Sequence, residues 1–237
     1  MLTNLEHVGT YLRQTLKECA VLGVSAVSFI AIMSMFMGAV ASIEIYHILW
    51  SPFKSSNFLL GYGVRQMAIL QIAPTVMAII LAGRAGSSIA SQIGAMRISG
   101  QIDALEILGI NSASYLSLPK ILASLLVYPM LVIFSAFVCI CSGLFVAKFA
   151  VAVSPEEYIQ GLRYNFDPLT MYIALTKSAV YAFLIASIAS YRGYYVSGGS
   201  EAIGRASTNA VTESCIAILA TDYIFMQLLS RPFLSLI

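Results

Sequence analysis

Long apolar stretches separated by short polar segments dominate the sequence. Five of these stretches approach or exceed the roughly 20 apolar residues that a helix needs to cross the hydrocarbon core of a bilayer. They cover residues 19–45, 64–96, 121–150, 169–196 and 210–229. The pattern predicts an all-α integral membrane protein with five transmembrane helices.

The second apolar stretch is longer than one membrane crossing requires. Pro74 lies near its middle. Proline has no N–H and its ring collides with the preceding turn, so a proline inside a helix bends or interrupts it. We therefore expect a kink near Pro74 or an extension of this helix beyond the membrane.

The N-terminal segment has the pattern of an amphipathic helix over residues 3–18. Apolar residues recur at helical spacing, and charged residues occupy the other faces. The apolar positions are Leu5, Val8, Leu12 and Leu16. The pattern predicts a helix lying on the membrane surface, and the alternative is a short frayed tail.

A second amphipathic segment, about residues 98–109, separates the second and third apolar stretches. Ile98, Ile102, Leu105 and Leu108 share one helical stripe, and Gly109 is a suitable stop. From the pattern alone, this short helix could be an interfacial connector lying against lipid. The pattern favours that interpretation, and the alternative is contact with a partner protein.

The composition supports a membrane protein. Hydrophobic residues make up 59% of the chain and charged residues only 10%, against roughly 25% charged in soluble domains. The 13 Lys and Arg residues are scattered singly, which argues against a nucleic-acid partner. No linker or composition break divides the chain, so residues 1–237 are predicted to form a single domain.

Residues that could form a catalytic or metal site are scattered or missing from the apolar stretches. The four cysteines lie inside apolar runs, where they act as small hydrophobic residues. The only resemblance to a phosphate-binding loop, residues 199–207, lacks the Lys-Ser/Thr ending. We therefore predict no catalytic, cofactor or metal site in this chain, and any ATP that drives it must be hydrolysed by another chain.

Small residues form one face in the second half of the second span, at three- and four-residue separations. They are Gly83, Gly86, Ser87, Ala90 and Gly94. Such a face lets another helix approach closely in lipid. Packing within the chain is one interpretation, and a moving or subunit-facing contact is the other.

Several ionisable residues lie in the predicted spans, and four of them are candidates for lipid contact or buried pairing: Arg84, Lys177, Glu213 and Asp222. Charges in the membrane are costly unless they face a partner or a cavity. Glu213 and Asp222 are nine residues apart, which places them on opposite sides of a helix. The spacing argues against a catalytic pair of carboxylates.

The distribution of basic residues favours a cytoplasmic N-terminus and a periplasmic C-terminus. This orientation puts seven basic residues inside and five outside. Those inside are Arg13, Lys17, Arg84, Arg97, Lys120, Arg192 and Arg205, and those outside are Lys54, Arg65, Lys148, Arg163 and Arg231.

Two segments carry a resemblance to a known family. Residues 81–97, LAGRAGSSIASQIGAMR, run into QIDALE at 101–106. A second set follows in order: Lys177-Ser178, Tyr191-Arg192-Gly193, Gly198-Gly199, Gly204, Ser207-Thr208, Ala210-Val211 and Asp222. With Pro74 and Pro119, these motifs resemble the MlaE-type (YrbE-like) permeases of MCE lipid transport systems, over roughly residues 20–230.

The resemblance implies a fold, a set of partners and a role. Members of the family are five-span permeases with an interfacial helix, and two copies pair with a cytoplasmic ABC ATPase dimer that binds ATP and Mg²⁺. A periplasmic MCE-domain protein is implied as a further partner, and a small cytoplasmic accessory subunit as an optional one. Membrane lipid would be the substrate, and the bacterial inner membrane the location.

By similarity, the segment at 101–106 is the coupling helix that docks on the ATPase. The residues carried over to that role are Gln101, Asp103, Ala104, Leu105 and Glu106. The family usually has acidic residues where Gln92 and Gly100 stand in this chain. These two departures remove negative charge around the coupling segment.

Two other functions are compatible with the residues. The ionisable positions within the spans would suit a secondary transporter driven by an ion gradient, which would work without ATP. The small-residue face would suit a membrane scaffold that holds a complex together without transporting anything. The absence of an inverted repeat argues against the ion-driven transporter.

Overall fold

The computed structural model describes residues 8–50, 58–109, 111–151 and 153–230. The described residues contain helices and their connections, with no strand among them. The helices are α1 (Val8–Trp50), α2 (Phe58–Ile98), α3 (Gln101–Ile107), α4 (Ser112–Phe149), α5 (Pro155–Arg163), α6 (Pro168–Tyr194) and α7 (Ser200–Ser230). Five of them, α1, α2, α4, α6 and α7, are long and apolar enough to cross a membrane. The predicted all-α fold with five spans is confirmed.

Helix α1 continues through the position where the sequence predicted a boundary between a surface helix and the first span. Its 43 residues form one helix from Val8 to Trp50. Residues 3–7 of the predicted surface helix lie outside the described residues. At 1.5 Å per residue α1 is about 65 Å long, roughly twice the thickness of the hydrocarbon core. Part of α1 must therefore lie beyond the hydrocarbon if the helix crosses the membrane.

Helix α2 accommodates Pro74 in a stretch of π-helix. Residues Ala68–Val76 have the wider π-helical turn, and a second π-helical stretch covers Ala82–Gly86. Pro74 cannot donate to the carbonyl of Leu70, four residues earlier, so the regular α-helical bond is lost there. The helix widens locally and continues to Ile98.

Helix α5 occupies one of the short polar segments between the predicted spans. Ser154 is its N-cap and accepts a hydrogen bond from the Glu157 N–H at 3.3 Å. Pro155 occupies the first turn, followed by Glu156 and Glu157, whose charges suit a helix N-terminus. The helix is therefore stabilised by its own end residues.

The described residues group into two compact units by the contacts between them. The first unit contains the described residues of Met1–Ser25, Ala78–Tyr128 and Ala179–Ile237. The second contains those of Ala26–Met77 and Pro129–Ser178.

The first unit has an apolar core where the end of α2 meets α3, α4, α6 and α7. Its buried members are Ile89, Ala90, Ile93, Ile102, Leu116, Ala189 and Ala210. Two of its helices approach closely at Gly193 of α6, where an added Cβ would lie 2.6 Å from the Ala90 carbonyl oxygen of α2. The small residues of α2 and α6 therefore allow this close packing.

In the second unit, α5 packs against the first turns of α2 with the two backbones in contact. A methyl group on Gly61 would overlap the Tyr158 carbonyl oxygen, and one on Gly161 would overlap that of Phe58. Arg65 of α2 is buried and donates from Nη1 to the Leu162 carbonyl at 2.6 Å. It thereby satisfies a carbonyl at the C-terminal end of α5.

Candidate coupling site

Helix α3 is a seven-residue helix between two spans, and a glycine turns the chain at each of its ends. Gly100 has φ 72° and Gly109 has φ 76°. Both angles lie in the left-handed region, which glycine adopts without the steric penalty of a side chain. Helix α3 ends at Ile107, two residues before the predicted stop at Gly109.

One apolar side chain anchors α3. Ile102 is fully buried in the core of the first unit. The rest of the predicted apolar stripe is not buried with it: Leu105 is half-buried, Ile98 is 38% exposed and Leu108 is 73% exposed. The helix ends at Ile107, so Leu108 leaves the helical face on which the sequence pattern placed it.

The Glu106 carboxylate is bound by two hydroxyl groups of the same chain. Ser112 Oγ, at the start of α4, and Tyr194 Oη, at the end of α6, each donate to Glu106 Oε1 at 3.0 Å. The two hydroxyl oxygens lie 2.9 Å apart. The hydrogen bond from Tyr194, and secondly that from Ser112, hold the pKa of Glu106 below its usual value because they stabilise the carboxylate.

Asp103 makes a different contact within the chain. Arg97 Nη1, near the end of α2, donates to Asp103 Oδ1 at 2.8 Å. The Arg97 guanidinium also lies 5.7 Å from the centre of the Tyr194 ring, within range of a cation–π interaction. Tyr194 therefore contacts both Arg97, at the end of α2, and Glu106 of α3.

The remaining predicted coupling residues face outwards. Gln101 and Ala104 are exposed, and so are Ile107, at 87%, and Leu108. Two apolar side chains thus lie on the surface at the C-terminal end of α3. An exposed apolar pair beside an exposed short helix is suited to contact with another protein.

A buried lysine joins three helices close to this site. Lys120 Nζ of α4 donates to Glu18 Oε1 of α1 and to Gln92 Oε1 of α2, both at 2.8 Å. Lys120 is only 6% exposed. Gln92 therefore lies at a polar junction between spans.

The residues of the predicted small-residue face differ in their surroundings: most of them pack against other helices of the chain, and one is exposed. Gly86, Ala90 and Gly94 lie against the same chain: an added Cβ on Gly86 would lie 3.4 Å from Ile185, and one on Gly94 would lie 3.3 Å from Val196. The Ser87 carbonyl accepts from Ser207 Oγ of α7 at 3.1 Å. Gly83 is exposed, and an added Cβ there would have no neighbour within 4 Å.

Two candidate buried charges lie on α7, and both bind α6. Arg192 Nε donates to Glu213 Oε2 at 2.7 Å, and Tyr181 Oη donates to Asp222 Oδ1 at 2.8 Å. Asp222 is 7% exposed. The nine-residue spacing predicts that the two carboxylates lie on opposite sides of α7. In the structure, α6 supplies a hydrogen-bond donor to each of them.

The other two candidate positions differ sharply in burial. Lys177 is fully buried in the second unit, and its Nζ donates to the Leu70 carbonyl at 3.4 Å. This is the carbonyl to which Pro74 cannot donate. Arg84 is exposed within the second π-helical stretch of α2.

Several residues of the site could not be predicted from the sequence pattern. Tyr194, Ser112 and Arg97 were not assigned to the coupling segment, yet each contacts α3. Tyr194 follows directly after the Tyr191-Arg192-Gly193 motif, which was the only signal nearby. Its distance to Glu106, 88 residues earlier, depends on the packing of helices and not on any local pattern.

Several known proteins similar to this chain are named as probable ABC transporter permeases. A probable ABC transporter permease protein of Rickettsia bellii is 29% identical over 227 residues, covering 96% of this chain and 87% of the relative. One of Synechocystis sp. is 30% identical over 219 residues, covering 92% of this chain and 82% of the relative. The chloroplastic protein TRIGALACTOSYLDIACYLGLYCEROL 1 of Arabidopsis thaliana is 29% identical over 154 residues, which cover 65% of this chain and 44% of the relative.

The family match covers nearly all of the described chain. The family described as Permease MlaE matches residues 15–228, which include the five candidate membrane spans almost completely as well as α3. The family and the relatives agree on a multi-pass transport subunit of the ABC type. This chain belongs to the MlaE permease family.

Proposed function

We propose that this chain is the permease subunit of an ATP-driven transporter that moves phospholipid or a related hydrophobic molecule between the inner membrane and the outer envelope. The observation that carries the proposal is α3, a short exposed helix between two spans that is held by Ile102 and Glu106. A permease without its own ATPase needs such a surface to receive the conformational change of a partner.

The proposed ATPase partner is a cytoplasmic dimer that binds ATP and Mg²⁺. Helix α3 would dock on it through the exposed face that includes Gln101, Ala104 and Ile107. Two copies of the permease would pair with the two ATPase subunits, in keeping with the two-fold symmetry common in such assemblies. A small cytoplasmic accessory subunit would be an optional further component.

Lipid is the cargo that the chain's chemistry favours. Large apolar side chains are exposed along α1 and α4, including Phe36, Phe137 and Phe145. The printed name of one relative, TRIGALACTOSYLDIACYLGLYCEROL 1, is that of a glycolipid. A periplasmic MCE-domain protein would pass the lipid to or from the permease.

The proposed location is the bacterial inner membrane with α3 on the cytoplasmic side. The N-terminus would then be cytoplasmic and the C-terminus periplasmic. The described part of the predicted surface helix would lie at the cytoplasmic membrane surface, where Leu12 and Leu16, both 63% exposed, could enter the lipid.

The buried Lys177 and Asp222 give an ion-driven transporter some support as the second candidate, since ionisable residues inside membranes often carry ions. The two candidates differ in one requirement. The ABC permease needs an ATPase partner, whereas the ion-driven transporter moves its cargo alone across a proton or sodium gradient. A scaffold would need neither ATP nor a gradient and would transport nothing.

Purification from the native membrane in mild detergent tests the proposal. Mass spectrometry would identify the co-purifying proteins and lipids, and the same preparation would be assayed for ATP hydrolysis. An ABC ATPase, an MCE-domain protein and bound phospholipid are the expected result. A chain that purifies alone, without lipid or ATPase activity, would contradict the proposal, and transport by that chain in vesicles with an ion gradient would then support the second candidate.

A further inference from the structure

The five residues predicted to couple α3 to an ATPase fall into two groups in the structure. Gln101 and Ala104 face outwards. The Glu106 carboxylate faces the chain itself, where it accepts hydrogen bonds from Ser112 and Tyr194. A carboxylate with two hydroxyl donors of its own chain already has partners before any other protein docks.

We propose that Glu106 is a positioning residue that ties α3 to α4 and α6, and that it does not bind the ATPase. The inference rests on the proposed function of α3 as the ATPase-docking helix. The two sides of α3 would then have different roles. The outer face binds the ATPase, and Glu106 transmits the movement of α3 to the ends of two spans.

The spacing of Ile102 and Glu106 supports this division. Residues four apart lie on the same side of a helix, so Glu106 projects from the side that carries the buried Ile102, although Glu106 itself remains exposed at the surface. Ala104 and Ile107 lie on the opposite face and are exposed. A helix of seven residues is too short to hold its shape in isolation, so its contacts with the rest of the chain, through Ile102, Glu106 and the Asp103–Arg97 pair, decide where it sits.

The hydroxyl groups that bind Glu106 come from the ends of two spans. Ser112 is the first residue of α4 and is 3% exposed. Tyr194 is the last residue of α6, and its ring lies beside the Arg97 guanidinium of α2. A displacement of α3 therefore acts on the ends of α2, α4 and α6 through one cluster of polar contacts.

The experiment compares variants of the whole complex, purified with its ATPase and reconstituted in vesicles of phosphatidylethanolamine and phosphatidylglycerol. The readouts are the amount of bound ATPase and the amount of fluorescent phosphatidylglycerol moved per ATP hydrolysed. The test variants are Glu106→Gln and Tyr194→Phe. Ile107→Asp is the matched variant on the outer face of the same helix.

The proposal predicts that Glu106→Gln and Tyr194→Phe keep the wild-type amount of ATPase and lower lipid transport per ATP by about tenfold, the scale of a lost charge-assisted hydrogen bond. The double variant should be no worse than the stronger single one, because both remove the same contact. Ile107→Asp should lose the ATPase instead.

Two results would overturn the proposal. One is loss of the ATPase in Glu106→Gln while Tyr194→Phe keeps both the ATPase and full transport, because Glu106 would then be a docking residue. The other is wild-type transport per ATP in both variants. Tyr194→Phe keeps the ring and removes one hydroxyl, so it decides the matter even if Glu106→Gln does not assemble. Failure of the wild-type chain to bind any ATPase would instead contradict the proposed function.

Discussion

Lys120 Nζ lies 2.8 Å from Glu18 Oε1 and joins α4 to α1 inside the first unit. The lysine side chain is 7% exposed and the glutamate side chain 24%. Breaking such a pair leaves one charge without its partner in a place that water reaches poorly, which is more harmful than removing both charges.

The change Lys120→Met should therefore destabilise the protein by about 1–3 kcal/mol. Methionine keeps much of the side-chain volume and removes the charge. The midpoint of thermal unfolding in detergent measures the effect. Lys17→Met is the matched control, since Lys17 is an exposed lysine one residue from Glu18, and it should leave the midpoint unchanged.

A second prediction concerns Gln92, whose side-chain oxygen also lies 2.8 Å from Lys120 Nζ. Glu18→Gln alone should destabilise the protein because Lys120 loses its carboxylate. Adding Gln92→Glu should restore most of that loss, because a carboxylate then returns to the ammonium from α2. Unfolding midpoints of the two single variants and the double variant measure this coupling. If Glu18→Gln lowers the unfolding midpoint by the same amount with and without Gln92→Glu, the charge of Lys120 does not determine the stability of this junction.

The spans could be predicted from the sequence because hydropathy over 20 residues is a strong signal. The polar helical turns next to them were missed. Ser112–Lys120 and Ser200–Asn209 are helical in the structure but lie outside the predicted spans, because hydropathy does not distinguish a polar helix from a loop. Helix α5 did carry a local signal, a Ser-Pro-Glu-Glu sequence from Ser154 that is typical of a helix N-terminus.

The candidate site could be predicted only in part. The helix predicted over about residues 98–109 is longer than α3, which covers Gln101–Ile107, and Ile102 is the buried member of the predicted stripe. The stripe also suggested burial of Leu108, which is exposed because α3 ends one residue earlier. The Tyr194 partner of Glu106 comes from a distant helix, and no periodicity within α3 can indicate it.

The contact between α2 and α5 predicts a sharp contrast between two glycines. Gly161→Ala should destabilise the protein by about 2–3 kcal/mol or prevent folding, since the new methyl group overlaps the Phe58 carbonyl oxygen. Gly204→Ala, in α7, meets nothing within 4 Å and should be neutral or gain about 0.5–1 kcal/mol of helix stability. Unfolding midpoints compare the two, and equal effects would contradict the packing of α5 on α2.

The contacts of Glu106 also predict a pH dependence. The pKa of Glu106 is lowered in the folded protein. The ionised carboxylate therefore contributes to folding stability at neutral pH, and that contribution is lost as the pH falls through the lowered pKa. Tyr194→Phe should raise the pKa of Glu106 back towards that of an ordinary glutamate. Carboxyl ¹³C NMR of glutamate-labelled protein, assigned with Glu106→Gln, measures the shift. An unchanged titration in Tyr194→Phe would show that the hydroxyl does not stabilise the carboxylate.

The central claim is that the outer face of α3 is the site where an ATPase docks. A photo-crosslinking amino acid in place of Ala104, on that face, tests it in the native membrane. Gln160, on the exposed face of α5, is the matched control position. We predict a crosslink from position 104 to an ABC ATPase and none from position 160. A crosslink from position 160, or none from position 104 in membranes that contain the assembled ATPase, would contradict the account.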